Sequence, residues 1–318
     1  MRLRRTQLAV PGSSIKMMRS AAASNADEVF LDLEDSVAPS EKEPSRAKVV
    51  QALKELDWTG KVVCVRVNGL DTRLAYRDII EVVEAAGQYI DTIMVPKVRR
   101  PDDVYFVDTL LTQIEENVGI DRKIGIEAQI ENAEGLINVD KTAFASPRLE
   151  TIIFGPGDFA ASMSIPNLSI GAHKTEYPGH IWHYVMTRIV VAARAAGLQA
   201  VDGPFGSYTN LEGLRDSAKM AFSLGYDGKW AVHPAQIDVI NEAFTPSEDL
   251  VRQAMAFGER YIRATEIEGL GAVALDGQMI DGASLRMVHA LLRRSDQIKD
   301  AEKREKGGNT SKAEIRAA

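Results

Sequence analysis

Two short apolar runs of the sequence each end in a carboxylate that is followed by small residues. Glu131 closes the run that starts at Ile124, and Asp158 follows the run that starts at Thr151. The two acids lie 158 − 131 = 27 positions apart, which is about the repeat of one strand-plus-helix unit. If both runs form neighbouring parallel strands, both carboxylates reach the same end of one sheet. Two hard oxygen ligands completed by water and substrate are typical of Mg2+, so the spacing predicts a metal site on Glu131 and Asp158.

A structural alternative exists for both acids, because a carboxylate after a strand often caps the helix that follows. For either residue alone helix capping is the better interpretation, whereas the pair favours the metal site. The turn at residues 155–158 reads Gly-Pro-Gly-Asp and precedes a predicted helix. Its backbone N–H groups, including that of Gly157, are suited to an oxyanion. We therefore place Gly157 and Asp158 beside the substrate as well.

Charged residues also close other apolar runs. Arg66 ends one of them and is a candidate for bidentate binding of a substrate carboxylate. Glu34 and Lys97 end two more, and either contact the substrate or form an internal salt bridge with each other. Lys16 and Arg19 follow a Gly-Ser turn, where they are equally compatible with binding phosphates and with being solvated surface charges.

The fold prediction rests on eight apolar runs rich in β-branched residues, separated by stretches of helical periodicity. Such an alternation is typical of a parallel sheet covered by helices, and eight units match the (β/α)8 TIM barrel, an α/β fold. A doubly wound open sheet is the second choice, and no Gly-x-Gly-x-x-Gly turn follows the first run. Barrel enzymes build their sites at the carboxyl ends of the strands, which would bring the candidate residues together. The runs are residues 7–12, 29–34, 62–68, 92–98, 124–131, 151–156, 198–206 and 228–234.

Beyond the predicted barrel, at residues 1–245, the chain continues into an extension. We assign residues 246–298 to a C-terminal helix–hairpin–helix lid and residues 299–318 to a charged tail that is predicted to be disordered. The long segment between residues 163 and 181 lacks periodicity and is predicted to be a lid or binding loop. Asp281, in the extension, is the remaining candidate for an acid or base. Only a folded-over lid or a neighbouring subunit would deliver it to the barrel.

Composition limits the possible functions of the 318-residue chain. Its net charge of −7 argues against a nucleic-acid partner. No run approaches the length of about 18 apolar residues that a membrane span needs. Cys64 is the single cysteine, which excludes an internal disulfide and fits a cytoplasmic location.

Seven segments, in the same order along the chain, resemble the citrate lyase β-subunit-like (HpcH/HpaI aldolase/citrate lyase) family of CoA-ester lyases, and within it the malyl-CoA branch. The resemblance implies a TIM barrel, Mg2+ or Mn2+, and reversible Claisen-type cleavage of a 3-hydroxyacyl-CoA. Malyl-CoA would yield acetyl-CoA and glyoxylate, and β-methylmalyl-CoA would yield propionyl-CoA and glyoxylate. The segments are FLDLEDSVAP (30–39), VRVNGLDT (65–72), IMVPKV (93–98), IENAEG (130–135), GDFAASM (157–163), VDGPFG (201–206) and GKWAVHPAQI (228–237).

The resemblance also implies roles for individual residues. It makes Glu131 and Asp158 the metal ligands and places Arg66 on the glyoxylate end of the substrate. It makes Asp281 an acid/base supplied by the C-terminal lid of an adjacent subunit in a homotrimer or homohexamer. Coenzyme A, as part of the substrate, would cross the barrel mouth near the first loop. Three alternatives remain open: a malyl-CoA thioesterase, a citramalyl- or citryl-CoA lyase, and an acyl-CoA-binding accessory subunit without turnover.

Overall fold

The computed structural model describes residues 1–165, 169–171, 179–275 and 277–317, and for residues 302 and 304–317 it describes the helical backbone only. Eight parallel strands close into a barrel in sequence order. This confirms the predicted (β/α)8 fold and rules out the open doubly wound sheet. The strands are β1 (Thr6–Pro11), β2 (Glu28–Asp32), β3 (Val62–Arg66), β4 (Thr92–Val95), β5 (Gly125–Ile130), β6 (Leu149–Phe154), β7 (Gln199–Asp202) and β8 (Gly228–Ala231).

Nine helices accompany these strands in the described part of the first 244 residues. Their apolar faces pack with the outward side chains of the strands in one large core, which is the arrangement that near-continuous apolar strands require. The helices are α1 (Ile15–Ala22), α2 (Lys42–Glu55), α3 (Ala75–Ala86), α4 (Pro101–Val118), α5 (Ala133–Thr142), α6 (Pro156–Ser162), α7 (His183–Ala195), α8 (Leu211–Ser223) and α9 (Ile237–Ala243).

A smaller apolar layer fills the middle of the barrel. Phe30 and Trp230 are its largest members, with ring centroids 4.5 Å apart. Cys64 belongs to this layer and is fully buried, as expected for a small core residue. Polar side chains lie in the barrel both above and below this layer, so the apolar layer separates two polar clusters.

The predicted runs extend past the observed strands at several carboxyl ends. Strand β4, for example, ends at Val95, and Lys97 has a positive φ of 54°. Such a left-handed backbone cannot continue a strand. The polar residues at the ends of the runs therefore lie in the loops at the barrel mouth.

The chain divides into two compact units, Met1–Phe244 and Thr245–Ala318. The second unit contains α10 (Glu248–Glu266), an antiparallel pair of strands, β9 (Val273–Leu275) and β10 (Gln278–Ile280), and α11 (Gly282–Ala317). The lid role of this unit and the disorder of residues 299–318 stay predictions, and α11 extends through most of that tail. The predicted loop at 163–181 falls largely outside the described residues. None of the described helices is both long and apolar enough to cross a membrane.

Candidate active site

Arg66 and Asp32 form the rigid floor of the site at the barrel mouth. They end adjacent strands and are register partners in the β2–β3 ladder. Arg66 Nε donates to Asp32 Oδ1 and Nη2 donates to Oδ2, both at 2.7 Å. The guanidinium also lies 5.5 Å from the Phe30 ring centroid and 5.3 Å from that of Trp230. Burial raises the pKa of Asp32, but the Arg66 charge and hydrogen bonds outweigh it, and the net pKa is lowered.

Glu34 connects Arg66 to Lys97. One Glu34 oxygen lies 3.2 Å from Arg66 Nη1, and the other accepts a short hydrogen bond from Lys97 Nζ. The internal salt bridge between Glu34 and Lys97 is thus confirmed. The ammonium of Lys97 also lies 3.7 Å from Asp158 Oδ2. Burial raises the pKa of Glu34 despite both cations.

Glu131 follows β5 and is almost fully buried, with 3% of its surface exposed. Its Oε1 accepts from the backbone N–H of Lys97 at 2.7 Å, and its Oε2 accepts from Gln129 Nε2 at 2.6 Å. Burial, followed by repulsion from Asp158 and Glu34, raises the pKa of Glu131 well above its ordinary range. Asn132, the next residue, is the side chain that caps α5, through a 2.7 Å bond from Gly135 N. Helix capping by Glu131 is therefore wrong.

Asp158 lies in the first turn of the short helix α6, whose N-cap is Gly155 and which has no side-chain cap hydrogen bond. Capping thus does not account for Asp158 either. Its side chain is 43% exposed, in contrast to Glu131. Gly157 precedes it in the same turn, as the sequence predicts. The two acids therefore differ: Glu131 is held by two donors, whereas Asp158 is accessible from solvent.

These contacts define the mouth cluster: Asp32, Glu34, Arg66, Lys97, Glu131 and Asp158. It has four carboxylates against two cations. Its donor set consists of hard oxygens, and Glu131 keeps lone pairs beyond its two hydrogen bonds, so the residues present suit a divalent cation such as Mg2+.

A second group, the base cluster, lies at the opposite end of the barrel and comprises Arg4, Gln7, Glu28, Cys64, Thr92 and Glu127. Among the described residues, ligand-type atoms of three of its members, Glu28, Cys64 and Glu127, lie within 4.8 Å of one another. Arg4 already provides the cation there, through a 2.6 Å contact to Glu28 and a 3.2 Å contact to Glu127. All of the charged groups are fully buried. The base cluster is therefore a closed packing layer in which the guanidinium of Arg4 already takes the place of a bound cation.

The mouth cluster, as its contacts define it, does not include three of the predicted site residues. Lys16 and Arg19 are exposed on α1. Asp281 belongs to the second unit, where its Oδ1 accepts from the backbone N–H groups of Ala283 at 2.9 Å and Ser284 at 3.0 Å. The substrate-binding role of Lys16 and Arg19 and the catalytic role of Asp281 stay predictions.

Sequence reasoning missed three contributors to the mouth. Asp32 is one of them: its alternation places it on one strand face with Glu34, but the local sequence does not indicate its pairing with Arg66. Gln129 is the second: it lies two residues before Glu131, and this period-two spacing is the signal in the sequence for their hydrogen bond. Lys42 donates to the Glu34 carbonyl at 2.8 Å, and nothing in its local sequence indicates this.

Comparison with known proteins gives a consistent result. The model of the HpcH/HpaI aldolase/citrate lyase family matches residues 5–234. An L-malyl-CoA/β-methylmalyl-CoA lyase of Cereibacter sphaeroides is 41% identical over 303 residues, which cover 92% of this chain and 95% of the relative. A malyl-CoA/β-methylmalyl-CoA/citramalyl-CoA lyase of Chloroflexus aurantiacus is 32% identical over 286 residues, which cover 85% of this chain and 81% of the relative.

Among solved structures, a protein named CitE from Mycobacterium tuberculosis, in complex with magnesium, acetoacetate and coenzyme A, superposes with a TM-score of 0.73. It is 26% identical in sequence, and the match covers 92% of this chain and 98% of that one. The chain described here therefore belongs to the HpcH/HpaI aldolase/citrate lyase family.

Proposed function

We propose that this protein is a Mg2+-dependent lyase that reversibly cleaves a carbon–carbon bond of a 3-hydroxyacyl-CoA. Malyl-CoA yields acetyl-CoA and glyoxylate, and β-methylmalyl-CoA yields propionyl-CoA and glyoxylate. The observation that carries the proposal is the pair Glu131 and Asp158 beside Arg66 at one barrel mouth, in a chain 41% identical to a lyase named for these substrates. Mn2+ is a second suitable cation.

The residues of the mouth cluster have separate roles in this reaction. Glu131 and Asp158 hold the cation, which when bound polarises the oxygens of the 2-oxo or 2-hydroxy acid. Arg66 binds the substrate carboxylate. Its Nε–Nη2 edge is occupied by Asp32 and a Glu34 oxygen lies 3.2 Å from Nη1, so the substrate meets the N–H groups of Nη1 and Nη2 that these two acids leave open. Gly157 and Lys97 border this position, and Lys16 and Arg19 of α1 meet the phosphates of coenzyme A.

Asp281 moves the proton. In the cleavage direction its carboxylate takes the proton of the C3 hydroxyl, the C2–C3 bond breaks, and the bonding electrons pass to C2 and the thioester. The hydroxyl carbon becomes the aldehyde of glyoxylate, and the proton returns to C2 to complete acetyl-CoA. Hydrogen bonds from the backbone N–H groups of Ser284 and Ala283 lower the pKa of Asp281, so it is ionised but is a weak base in these surroundings.

We further propose that Asp281 comes from the C-terminal lid of a neighbouring subunit in a homotrimer or homohexamer. The second unit supports this proposal because it exposes large apolar side chains suited to a subunit contact, including Ile267 at 77% and Met279 at 72%. The single cysteine, Cys64, buried and free, fits a cytoplasmic protein.

Steady-state kinetics on a panel of acyl-CoA esters with Mg2+ tests the activity. We expect glyoxylate and acetyl-CoA to appear together from malyl-CoA, and chelation to abolish turnover. Free CoA and malate without glyoxylate would instead indicate a thioesterase. Release of pyruvate from citramalyl-CoA or oxaloacetate from citryl-CoA, without turnover of malyl-CoA, would indicate a different acyl group. Calorimetric binding of CoA without any turnover would indicate an accessory subunit.

Two variants test the shared site. Asp281→Asn should lower kcat by about 10²–10⁴ while the affinity for Mn2+ stays unchanged, because only the proton carrier is lost. Asp158→Ala should abolish metal-dependent activity by removing a ligand. Mixing the two inactive variants should restore part of the activity if Asp281 serves a neighbour, because one site then combines both intact residues. Full activity of Asp281→Asn alone would refute its role.

A further inference from the structure

We infer that Gln129 is a positioning residue that orients Glu131 for the divalent cation and thereby sets the metal affinity of the mouth. The inference rests on the proposed function, because it takes Glu131 and Asp158 as the metal ligands. Gln129 lies two residues before Glu131, on the inner face of β5, and both side chains are buried.

The carboxylate of Glu131 is fixed by two donors on different elements. Gln129 Nε2 donates to Oε2 at 2.6 Å from β5, and the backbone N–H of Lys97 donates to Oε1 at 2.7 Å from the loop after β4. One donor on each oxygen defines the plane of the carboxylate and leaves each oxygen a lone pair. Outer partners of this kind orient metal ligands and tune their affinity.

Fold stability alone does not account for a glutamine at this position. Gln129 Oε1 is buried and has no hydrogen-bond partner among the described residues. An unpaired buried carbonyl destabilises the folded state, and a methionine of similar size would avoid that loss. The glutamine is therefore best explained by what its other end does, which is to donate to Glu131.

The neighbouring strand leaves room for this hydrogen bond. Gly155, at the end of β6, faces the pair, and a Cβ atom built there would lie 2.6 Å from Glu131 Oε2 and 2.9 Å from Gln129 Nε2. Any larger residue would displace one of the two atoms that form the bond. Gly155 and Gln129 thus both help to hold the Glu131 carboxylate in one orientation.

Gln7 of the base cluster is a matched control within the same barrel. Its Nε2 also donates to a buried glutamate, Glu127, at 2.9 Å, but its Oε1 accepts from Trp230 Nε1 at 2.7 Å. Gln7 is therefore satisfied at both ends, as expected for a structural glutamine. Like Gln129, Gln7 is a buried glutamine that donates to a buried glutamate, but it lies far from the barrel mouth.

Titration of the metal-free protein with Mn2+, followed by the electron paramagnetic resonance signal of the free ion, tests the inference without any assay of turnover. Gln129→Met should raise the Kd for Mn2+ by about 10–100-fold with little change in melting temperature. Gln7→Met should lower the melting temperature and leave the Kd within about twofold of the wild-type value. Should Gln129→Met not fold, Gln129→Asn makes the same prediction, since its shorter amide does not reach Glu131.

The outcomes separate this inference from the proposed function. If Asp158→Ala loses Mn2+ binding while Gln129→Met keeps the wild-type Kd, the role of Gln129 is refuted and the metal pair stands. Equal changes in Kd for Gln129→Met and Gln7→Met would also refute it, because the effect would then be a general loss of stability. If Asp158→Ala binds Mn2+ as the wild type does, the metal pair fails, and the role of Gln129 fails with it.

Discussion

The two ends of the barrel both contain buried acids, and only one of them is suited to chemistry. In the base cluster, Arg4 contacts Glu28, Glu127 and also Glu150, and its side chain is 0% exposed. In the mouth cluster, Lys97 is 31% and Asp158 is 43% exposed. The base cluster has a tight grouping of potential ligand atoms, yet a guanidinium already lies among them and the cluster is closed to solvent.

This difference shows that the spacing of acids is a poor guide to a metal site by itself. A divalent cation needs a path of entry as well as ligands. The mouth cluster provides such a path, because the Asp158 carboxylate is open to water. Carboxylates repel one another in both clusters. At the mouth an entering cation can relieve this repulsion, whereas the closed base cluster gives a cation no access.

The largest expected effect comes from removing the cation of the base cluster. Arg4→Met leaves Glu28 and Glu127 buried without their partner, which should cost about 3–5 kcal/mol of unfolding free energy and lower the melting temperature by roughly 10 °C. Urea and thermal denaturation measure the loss. The Kd for Mn2+ should stay at the wild-type value, because the apolar layer separates the two clusters.

Lys97→Met provides the control, since it removes a cation from the mouth cluster. Water reaches that site, and the loss should be about 1 kcal/mol or less. A similar loss for both variants would contradict the distinction between a closed and an open cluster. Arg4→Met with Glu28→Gln should recover part of the stability, because it removes one of the unpaired charges.

The stabilisation of the protein by Mg2+ should depend on pH, because Glu131 of the mouth cluster takes up a proton. Burial and the neighbouring carboxylates raise the pKa of Glu131, so its protonated form is favoured in the folded, metal-free protein. Such a group contributes stability at low pH that is lost as pH rises through the raised pKa. Mg2+ binds the ionised form. The increase in melting temperature caused by Mg2+ should therefore grow as pH rises above the ordinary pKa of a glutamate and through the raised pKa of Glu131.

Asp158→Asn sharpens this test. It removes the repulsion that acts on Glu131, so the metal-free variant should lose less stability than the wild type as pH rises. Melting curves at several pH values, with and without Mg2+, give both results. Stabilisation by Mg2+ that is independent of pH would contradict the raised pKa of Glu131.

The sequence allowed the barrel and the metal pair to be predicted because both follow from periodicity. Glu131 and Asp158 lie one repeat apart, and parallel strands bring such residues to one edge. The base cluster was not predicted, because Arg4 precedes the first apolar run and only barrel closure brings it to Glu127. Likewise, the pairing of Arg66 with Asp32 depends on strand register, which local pattern does not define.

The smallest expected effect concerns the backbone of the mouth. Lys97 has a φ of 54°, in the left-handed region that costs a residue with a Cβ about 1 kcal/mol or more. Lys97→Gly and Lys97→Ala both remove the ammonium and both keep the N–H that donates to Glu131. The glycine variant should be more stable than the alanine variant by about 0.5–1 kcal/mol, because only alanine retains the strain, and glycine loses part of that gain to chain entropy.

At Lys219 the order of stability of the glycine and alanine variants should be reversed, because this residue is exposed inside helix α8 and has ordinary helical geometry. There the glycine variant should be less stable than the alanine variant by about 1 kcal/mol. Denaturation of the four variants measures both differences. A reversal of sign between the two lysines would show that the loop after β4 carries strain while it aims its N–H at Glu131. If alanine were the more stable variant at both positions, the left-handed conformation of Lys97 would cost no free energy. The Lys97 N–H would then reach Glu131 without backbone strain.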